Sequence, residues 1–453
     1  MTNELLAAPP RRSRATIAAP WIGLAVAILL IVAAIAFPAL SGLNVHVRSF
    51  PPLHAQWMPR IGPGTLPAII VGLLSARYAV DLAVRLRWRM LLLASFASGV
   101  VWMVSLATVD GWSGLSHILD TQYEYLRTAR SVIDIGALLH GYIARIPIDS
   151  AEHWPVHLAG HPPGAVLFFV VLVRLGLGSG LAAGWAVTVV AATTPVAVLI
   201  AMRRLGAERG ARRAAPFLVF GPAAIWLSVS ADAVFGAVAA WGLCALACAA
   251  ITPSRWRTAA WAVLAGGLLG YCVMLSYGLP ILGVLALAIL LLSRRWAPLP
   301  WSVGAALVVV LGFAAAGFAW WDAYPVLVER YWAGVASSRP FTYWIWANLA
   351  ALTISAGPLV GAGVAVAIRQ VNGIRSASRG DLVAVVLTIA ALVTVLAADL
   401  SGMSKAEVER IWLPFVPWLL LGIALLPERW RRWGLAGQLA FALVVQHLLA
   451  TGW

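Results

Sequence analysis

Long apolar segments dominate this chain and constrain its fold more than any other feature. About thirteen of its apolar runs approach the roughly twenty residues that a helix needs to cross a bilayer. With 62% hydrophobic and 11% charged residues, the composition excludes a soluble domain of this length. A segment inside a bilayer must satisfy its own backbone hydrogen bonds, so each run is predicted to be helical. The sequence therefore predicts an all-α polytopic membrane protein.

Positive charges between the runs predict which connections are cytoplasmic. The predicted spans are 18–40, 64–83, 90–109, 181–202, 214–229, 232–251, 258–275, 279–293, 301–321, 346–368, 381–399, 411–426 and 434–449. Arginine and lysine concentrate in cytoplasmic loops, which places Arg11–Arg14, Arg85–Arg89 and the basic run 203–213 inside. All of these connections can lie on the cytoplasmic side only if the further apolar run 164–178 does not cross the membrane. We therefore predict a re-entrant or interfacial helix there, a cytoplasmic amino terminus and a first helix that is retained.

Several classes of function are disfavoured by the sequence. The net charge of +15 does not indicate nucleic-acid binding, because the basic residues form short clusters between spans instead of one stripe. Cys244, Cys248 and Cys272 all fall in apolar runs, which favours core packing over a disulfide or a metal site. No P-loop and no dinucleotide-binding fingerprint occurs. We expect no cofactor and no nucleic-acid partner.

One long polar segment, 110–164, interrupts the apolar pattern and lies on the outer face if the charge argument holds. Its acids and histidines are Asp110, Asp120, Glu124, Asp134, Asp149, Glu152, His117, His140, His153, His157 and His161. Polar residues concentrated in a loop of a membrane protein indicate function. We therefore divide the chain into amino-terminal transmembrane helices (1–109), an outer catalytic-type loop with interfacial helices (110–180) and a transmembrane helical bundle (181–453).

The first candidate group follows the third predicted span. In helical spacing, Asp120, Glu124 and Arg127 share one face. An acid partly shielded from water near the membrane interface can act as a general base toward a hydroxyl. The alternative is a solvated face on which the acids pair with Arg127 and Arg130.

The second candidate group ends the polar segment. His157 and His161 are four residues apart and would suit a metal on a helix, but Pro162 disfavours a helical conformation at His161. No third-ligand pattern accompanies them, so we expect hydrogen bonds that shape the loop, and no metal. Pro162 and Pro163 predict an extended entry, and Gly164 allows another group to approach closely.

Two further groups lie downstream. Asp232 lies in a very short turn that is predicted to be on the outer face. One interpretation is that Ser230 or Asp232 caps the next helix. The alternative is that Asp232 faces the outer cavity as a second acid. Ser404 and Glu407 match a capping box. Lys405 and Arg410 are cations on the side where cations are scarce. Both cations would suit the phosphate of a lipid carrier. The alternative is an ordinary ion pair between Arg410 and Glu409.

In order, these pieces resemble the polyprenyl-phosphate-dependent membrane glycosyltransferases of the C-type fold (GT-C), which include the protein O-mannosyltransferases and the aminoarabinose transferases. The resemblance runs over roughly 110–427 and rests on Asp120, Tyr125, Ala129-Arg130, Gly136, His161-Pro162-Pro163, Trp226 through Asp232, Lys405, Arg410, Leu413-Pro414 and Pro417. Two features depart from the family pattern. The acid follows the third span instead of the first, and the Pro-Pro element continues with Gly164 instead of leucine.

The resemblance implies a GT-C-like fold and a set of roles. Asp120 would deprotonate an acceptor hydroxyl, with Glu124 as the second catalytic acid. Attack at the anomeric carbon would invert its configuration and release polyprenyl phosphate without a metal. Lys405 and Arg410 would bind the donor phosphate. The implied substrate-binding residues are Tyr125, His157, His161 and Asp232.

Other functions account for part of the same pattern. A transporter or flippase of an envelope lipid or glycan would also use intramembrane acids and broken helices, but no inverted repeat links the two halves. A structural scaffold leaves the outer loop unexplained. The acids face away from cytoplasmic nucleotide sugars, which favours a lipid-linked donor. We expect a multi-pass protein of the inner (plasma) membrane that contacts membrane lipids, with a glycan, lipid or protein as acceptor.

Overall fold

The computed structural model describes residues 14–452, which are mostly helical; Arg11 and Arg12, used above to orient the amino terminus, lie outside this range. The helices of the first half are α1 (Arg14–Ser41), α2 (Thr65–Arg85), α3 (Trp88–Ala107), α4 (Tyr125–Ser131), α5 (Ile135–His140), α6 (Val156–Ala159), α7 (Gly164–Arg174), α8 (Gly180–Arg204), α9 (Glu208–Phe220), α10 (Ala224–Leu227) and α11 (Ala231–Ile251).

The second half continues with ten more helices and a carboxyl-terminal strand. The helices are α12 (Arg255–Leu275), α13 (Gly283–Ser293), α14 (Pro298–Ala315), α15 (Trp320–Ala333), α16 (Phe341–Ala356), α17 (Leu359–Val371), α18 (Arg379–Leu400), α19 (Val408–Ile411), α20 (Val416–Leu419) and α21 (Glu428–Leu448). Short 3-10 turns cover Thr108–Asp110, Trp112–Leu115, Ile118–Asp120, Ile143–Arg145, Leu279–Leu282, Ile374–Ser376 and Leu420–Leu425. Strand β1 (Ala55–Trp57) pairs antiparallel with β2 (Leu449–Thr451), with Ala55 opposite Thr451.

Within residues 14–452, eight helices are long and apolar enough to cross a membrane, or nine if the bent pair α16–α17 counts as one span. They are α1, α2, α3, α8, α11, α12, α14 and α18. The polytopic helical architecture predicted from the sequence is confirmed, whereas the count of about thirteen spans is not. Several of the remaining predicted runs form short or broken helices.

Proline and glycine cause these breaks. The run predicted at 214–229 is interrupted at Gly221-Pro222, where α9 ends. The run predicted at 346–368 bends by 108° between α16 and α17. Gly357 has a φ of +83° at this bend, and Pro358 follows it. A proline supplies no backbone N–H and clashes with the preceding helical turn, so hydropathy alone does not predict a continuous helix here.

The bend between α16 and α17 is filled by a side chain from α21. Gln438 donates from Nε2 to the carbonyl of Ala356 at 2.9 Å and accepts from the backbone N–H of Leu359 at 3.4 Å. Both backbone groups lack a helical partner because the helix is broken. Gln438 therefore satisfies polar groups that would otherwise be buried unpaired.

The core is built around α11, which packs against α8, α12 and α13 and is buried over most of its length. Its sequence is rich in alanine and glycine, which lets neighbouring backbones approach closely. By contrast, α1 and α14 are largely exposed on the perimeter. The beginning of α11 is thus held in a fixed position, which matters because it carries Asp232.

The basic connections predicted to be cytoplasmic meet at one end of the bundle. Arg212 donates to the carbonyls at the end of α2, including that of Leu86 at 2.8 Å. Arg432 pairs with Asp81 at 2.7 Å, and Arg379 donates to the carbonyl of Leu205 at 2.9 Å. We refer to this as the arginine-rich end.

Helix α7 stays at the opposite end, as predicted for 164–178. Its 11 residues are too few to cross a bilayer. At its start, the carbonyl of Gly164 accepts from Tyr271 at 2.9 Å, near the end of α12. At its end, Arg174 donates to the carbonyl of Ile133 at 3.2 Å. Both ends of α7 therefore contact the end of the bundle that carries the polar segment.

Candidate functional site

A cluster of buried charged side chains lies at the end of the bundle that carries the polar segment 110–164, which we call the polar end. It is formed by Glu124, His157, Asp232, Glu407 and Arg410, and each is at most about a fifth exposed. Four separate stretches supply them: the residue before α4, helix α6, the start of α11 and the segment around α19. We call this the acid–arginine cluster.

Arg410 lies at the centre of the acid–arginine cluster. Its Nη1 donates to Asp232 Oδ2 at 2.6 Å, and its Nη2 lies 2.9 Å from Glu407 Oε2. The alternative pairing with Glu409 expected from the sequence is wrong, because Glu407 and Asp232 take that place. A buried arginine needs such carboxylate partners to offset the loss of its hydration.

His157 links Arg410 to Glu124. The Nη2 of Arg410 lies 3.2 Å from His157 Nε2, and Nδ1 of the same ring lies 2.7 Å from Glu124 Oε1. A guanidinium has no acceptor, so Nε2 must accept and Nδ1 must carry the proton that is donated to Glu124. The ring is thereby fixed in one tautomer, with a carboxylate behind it and a cation in front.

Glu124 has one carboxylate oxygen left over. Its Oε1 accepts from His157, whereas its Oε2 is buried and has no hydrogen-bond partner among the described residues. Buried carboxylate oxygens are rarely left unbonded, and a catalytic role is one of the few explanations for such a group. Oε2 is therefore the carboxylate oxygen of the cluster that keeps its capacity to accept a hydrogen bond.

Asp120 lies apart from the acid–arginine cluster. Arg130 binds both of its carboxylate oxygens, at 2.7 and 3.1 Å, and Arg127 donates to its backbone carbonyl at 2.7 Å. The hydrogen bond from Arg130, opposed by partial burial, lowers the pKa of Asp120. The pairing with arginine that was the alternative expectation is what the structure contains.

The predicted helical face through Asp120, Glu124 and Arg127 is wrong. Asp120 ends a 3-10 turn, and α4 begins only at Tyr125 with Glu124 as its N-cap residue. The two acids therefore point to different surroundings. Helical spacing did not apply because the intervening residues form a turn.

Tyr125 and His161 form an aromatic wall beside the cluster. The Tyr125 ring stacks on Phe169 at 5.5 Å and meets His161 edge-on at 6.0 Å between centroids. His161 Nδ1 lies 3.0 Å from the carbonyl of Leu275 at the end of α12. Burial lowers the pKa of His161 to about 4, so the ring is neutral and donates to that carbonyl. The prediction that these histidines shape the loop through hydrogen bonds is confirmed.

Gly164 allows the close approach that was predicted for it. A Cβ on Gly164 would overlap the backbone of Met274 in α12. The start of α7 therefore packs directly on α12, next to the contact between His161 and Leu275. This packing fixes the position of the Pro162-Pro163 element.

Lys405 is also a buried cation, but its contacts differ from those of Arg410. Its Nζ donates to the carbonyls of Ala336 and Arg339, both at 3.0 Å, and lies 4.5 Å from the centroid of the Trp332 ring. Among the described residues, no carboxylate lies within ion-pair distance of it. Burial and the neighbouring Arg339 lower the pKa of Lys405. An ammonium without a counter-charge is suited to bind an anion.

The segment before α19 differs from its prediction. Glu407 precedes α19 with a φ of +61° and makes no side-chain cap, so the capping box of Ser404 and Glu407 is wrong. Burial would raise the pKa of Glu407, but Arg410, His157 and Arg339 together lower it. At the other candidate cap, the hydroxyl of Ser230 accepts from the backbone N–H of Asp232 at 3.2 Å, so Ser230 is the capping residue and the Asp232 carboxylate is left for Arg410.

Several residues of this region were not predicted from the sequence. Arg339 lies 3.8 Å from Glu407, and the backbone N–H of His54 donates to Glu409 Oε1 at 3.2 Å. Tyr142 donates to the carbonyls of Leu158 and His161, at 2.9 and 3.1 Å. These residues belong to no spaced motif. The signal available for Arg339 was an arginine in the connection between the predicted spans 301–321 and 346–368.

The fold and site define a multi-pass helical membrane protein with a buried acid–arginine cluster at one end of its bundle. Within residues 14–452, no group of three or more histidine, cysteine or acidic side chains could hold a metal ion.

Comparison with known proteins gives two matches. No family model matches the chain, and no curated protein matches it. The matched structures are both ArnT from Cupriavidus metallidurans, an aminoarabinose transferase, which is one of the classes that the sequence resembles. The structure bound to undecaprenyl phosphate is 18% identical with a TM-score of 0.49 and matches 77% of this chain. The apo structure is 19% identical with a TM-score of 0.43 and matches 74% of this chain.

The chain spans 61% of the length of either ArnT chain. At these TM-scores the likeness carries no argument, and the function is argued below from the site.

Proposed function

We propose that this protein is a membrane glycosyltransferase that transfers a sugar from a polyprenyl-phosphate-linked donor to an acceptor hydroxyl at the polar end of the bundle. The observation that carries the proposal is the free Oε2 of Glu124, held in the acid–arginine cluster by His157. A fixed carboxylate with one unbonded oxygen, next to a chain of charged groups, is suited to accept a proton from a hydroxyl.

Glu124 is the proposed general base, in preference to Asp120. Both oxygens of Asp120 are bonded to Arg130, so a hydroxyl would have to displace an arginine to reach them. Glu124 needs no such displacement. Its carboxylate is also supported by His157, which is in turn oriented by Arg410.

The reaction follows from these positions. Glu124 takes the proton of the acceptor hydroxyl, and the hydroxyl oxygen attacks the anomeric carbon of the donor. The bond from that carbon to the phosphate oxygen breaks, the configuration inverts and the polyprenyl phosphate leaves. Substrate contacts are assigned to Tyr125 and His161, which form the wall beside the cluster. None of these steps uses a metal.

Lys405 is the proposed partner of the donor phosphate. It is buried, it has no carboxylate partner among the described residues, and charge-assisted hydrogen bonds to phosphate are strong. Arg410 was also predicted to bind the phosphate. In this structure its two terminal nitrogens contact Asp232, Glu407 and His157, so we assign it the positioning of His157 and Glu124.

The alternative of a transporter or flippase would be favoured by broken helices that open a site in the membrane. The broken pair α16–α17 does not open one, because Gln438 occupies the break and bonds its free backbone groups. We propose an inner-membrane location with the cluster on the outer face, since the connections at the opposite end are rich in arginine.

The test is a glycan and lipid profile of the native host. A deletion strain is complemented with wild type, Glu124→Gln, Asp120→Asn or the control Glu152→Gln, whose side chain is 81% exposed. Each protein is quantified in the membrane fraction. We expect Glu124→Gln to lose one sugar from a glycan, lipid or protein and to accumulate the lipid-linked donor, as the deletion does, while the control restores both. Full rescue by Glu124→Gln would overturn its role as the base. If the sugar is lost only with Asp120→Asn, that acid is the base instead.

A further inference from the structure

A separate cavity lies between α2, α3 and α9, toward the arginine-rich end. Its volume is about 360 Å³, within the range of small-ligand sites. Its walls are almost entirely apolar and include Leu74, Leu82, Leu91, Val219 and Phe220. It shares no residue with the acid–arginine cluster.

The cavity opens sideways, toward the lipid phase. Three of its lining residues on α2 are about half exposed: Leu74 (54%), Tyr78 (49%) and Leu82 (48%). The walls supplied by α3 and α9 are deeper, since Leu91, Val219 and Phe220 are buried. An apolar pocket that is open to the bilayer on one side and closed by protein on the other suits a hydrocarbon chain.

Arginines surround the end of this cavity. Arg85, Arg87 and Arg89 lie in and next to the connection between α2 and α3, and all are exposed. The first two flank Leu86, which lines the cavity. The amino end of α3 adds a partial positive charge at the same place.

The neighbouring acids form their ion pairs with other arginines. Asp81 pairs with Arg432 at 2.7 Å. Glu208 pairs with Arg203 and Arg212, both at 2.8 Å. The mouth of the cavity therefore keeps a positive charge directly beside an apolar pocket.

We propose that this cavity binds one acyl chain of an anionic phospholipid, whose headgroup phosphate is held by Arg85, Arg87 and Arg89. Basic pockets between membrane helices recognise anionic headgroups through this combination of charge and shape. The lipid comes from the leaflet at the arginine-rich end. The inference uses none of the residues of the proposed transfer reaction and stands independently of it.

The experiment is a lipid titration of the purified full chain, followed by native mass spectrometry. Phosphatidylglycerol and phosphatidylcholine with identical acyl chains are compared, with undecaprenyl phosphate as a third ligand. One variant, Arg85→Gln with Arg87→Gln, removes charge; a second, Ala79→Phe, fills the cavity. The control, Arg255→Gln with Arg257→Gln, removes the same charge from the first turn of α12.

We expect one saturable phosphatidylglycerol adduct that phosphatidylcholine does not match. The charge variant should weaken it by about fivefold per arginine removed, since each adds about 1 kcal/mol near an anionic surface. The cavity variant should weaken it while all charges remain, and the control should not change it. Equal loss in the control, equal binding of phosphatidylcholine, or no effect of Ala79→Phe would each overturn the proposal. So would an undecaprenyl phosphate adduct that both variants remove, which would assign the cavity to the carrier lipid.

Discussion

Arg410 and Asp232 are 178 positions apart in the sequence, yet the Nη1 of Arg410 donates to Asp232 Oδ2 at 2.6 Å. The bond joins the start of α11, the most buried long helix, to the segment around α19. Both side chains are less than a tenth exposed. The pair therefore fixes the position of Arg410, and through it the ring of His157.

Removal of the Asp232 carboxylate should destabilise the protein strongly. Asp232→Ala leaves Arg410 buried with less counter-charge, and breaking a buried pair in this way costs about 3–5 kcal/mol. Asp232→Asn keeps an acceptor oxygen and should be milder. Thermal unfolding in detergent measures both. An unchanged melting temperature for Asp232→Ala would contradict the structural importance of the pair.

Asp120 and Arg130 should behave as a structural pair with little effect on transfer. Both side chains are more than a third exposed, so the pair contributes at most about 1 kcal/mol. Asp120→Asn should show a small loss of stability. Arg130→Gln and the double variant should lose somewhat more, because they also remove the bond from Arg130 Nε to the carbonyl of Gly178 at 2.8 Å. Sugar transfer in membranes should persist in each. A complete loss of transfer in Asp120→Asn alone would return the role of base to Asp120.

Glu409 should make stability depend on pH. Burial raises the pKa of this carboxyl to about 7 from an ordinary value of 4.5. The protonated form therefore favours the folded state, and its contribution is complete below pH 4.5 and is lost as the pH rises through 7. The difference amounts to about 3 kcal/mol. Glu409→Gln stays neutral at every pH.

Unfolding measured at pH 5.5 and pH 8.5 tests this expectation for Glu409. The wild type should lose stability at the higher pH relative to Glu409→Gln. The exposed Glu152→Gln serves as the control and should follow the wild type. Parallel pH profiles for the wild type and Glu409→Gln would show that another group titrates.

His161 should tolerate only a substitution that keeps its Nδ1 donor. Asparagine places an amide N–H near the position of Nδ1, so His161→Asn should keep the bond to the carbonyl of Leu275, whereas His161→Leu leaves that carbonyl unpaired. The difference should be about 1–3 kcal/mol in the free energy of unfolding. Because the pKa of His161 is about 4, neither variant should shift the pH profile of activity between pH 6 and 8. A shift in that range would mean that His161 titrates during turnover.

The bend between α16 and α17 should depend on Gln438 and Gly357. Gln438→Leu leaves the carbonyl of Ala356 and the N–H of Leu359 unpaired, at about 1–3 kcal/mol for each group. Gly357→Ala adds a Cβ at a φ of +83° that overlaps the Gln438 side chain, so it should be at least as harmful. The nearby Gly437, which has open space around it, is the control as Gly437→Ala. Equal stability of the three variants would contradict this account of the bend.

Composition was enough to predict the class of fold, and the charge distribution predicted which connections meet at the arginine-rich end. Hydropathy is a local property, so α1, α2, α3 and α8 could be predicted from their residues alone. The distribution of arginine predicted that 164–178 does not cross. Residues Glu124, His157, Asp232 and Arg410 were all candidates because each is a polar residue at a predicted outer position.

Only the tertiary structure decided how these candidates combine. Glu124 meets His157 across 33 positions, and His157 meets Arg410 across 253. A sequence contains no distance between such residues. The resemblance made Asp120 the expected base, whereas the structure bonds Asp120 to Arg130 and Glu124 to His157. The breaks at Gly221 and Gly357 were not predicted, because the apolar composition stays constant where the helix bends. At Gly357 the backbone is satisfied by Gln438, a side chain distant in the sequence.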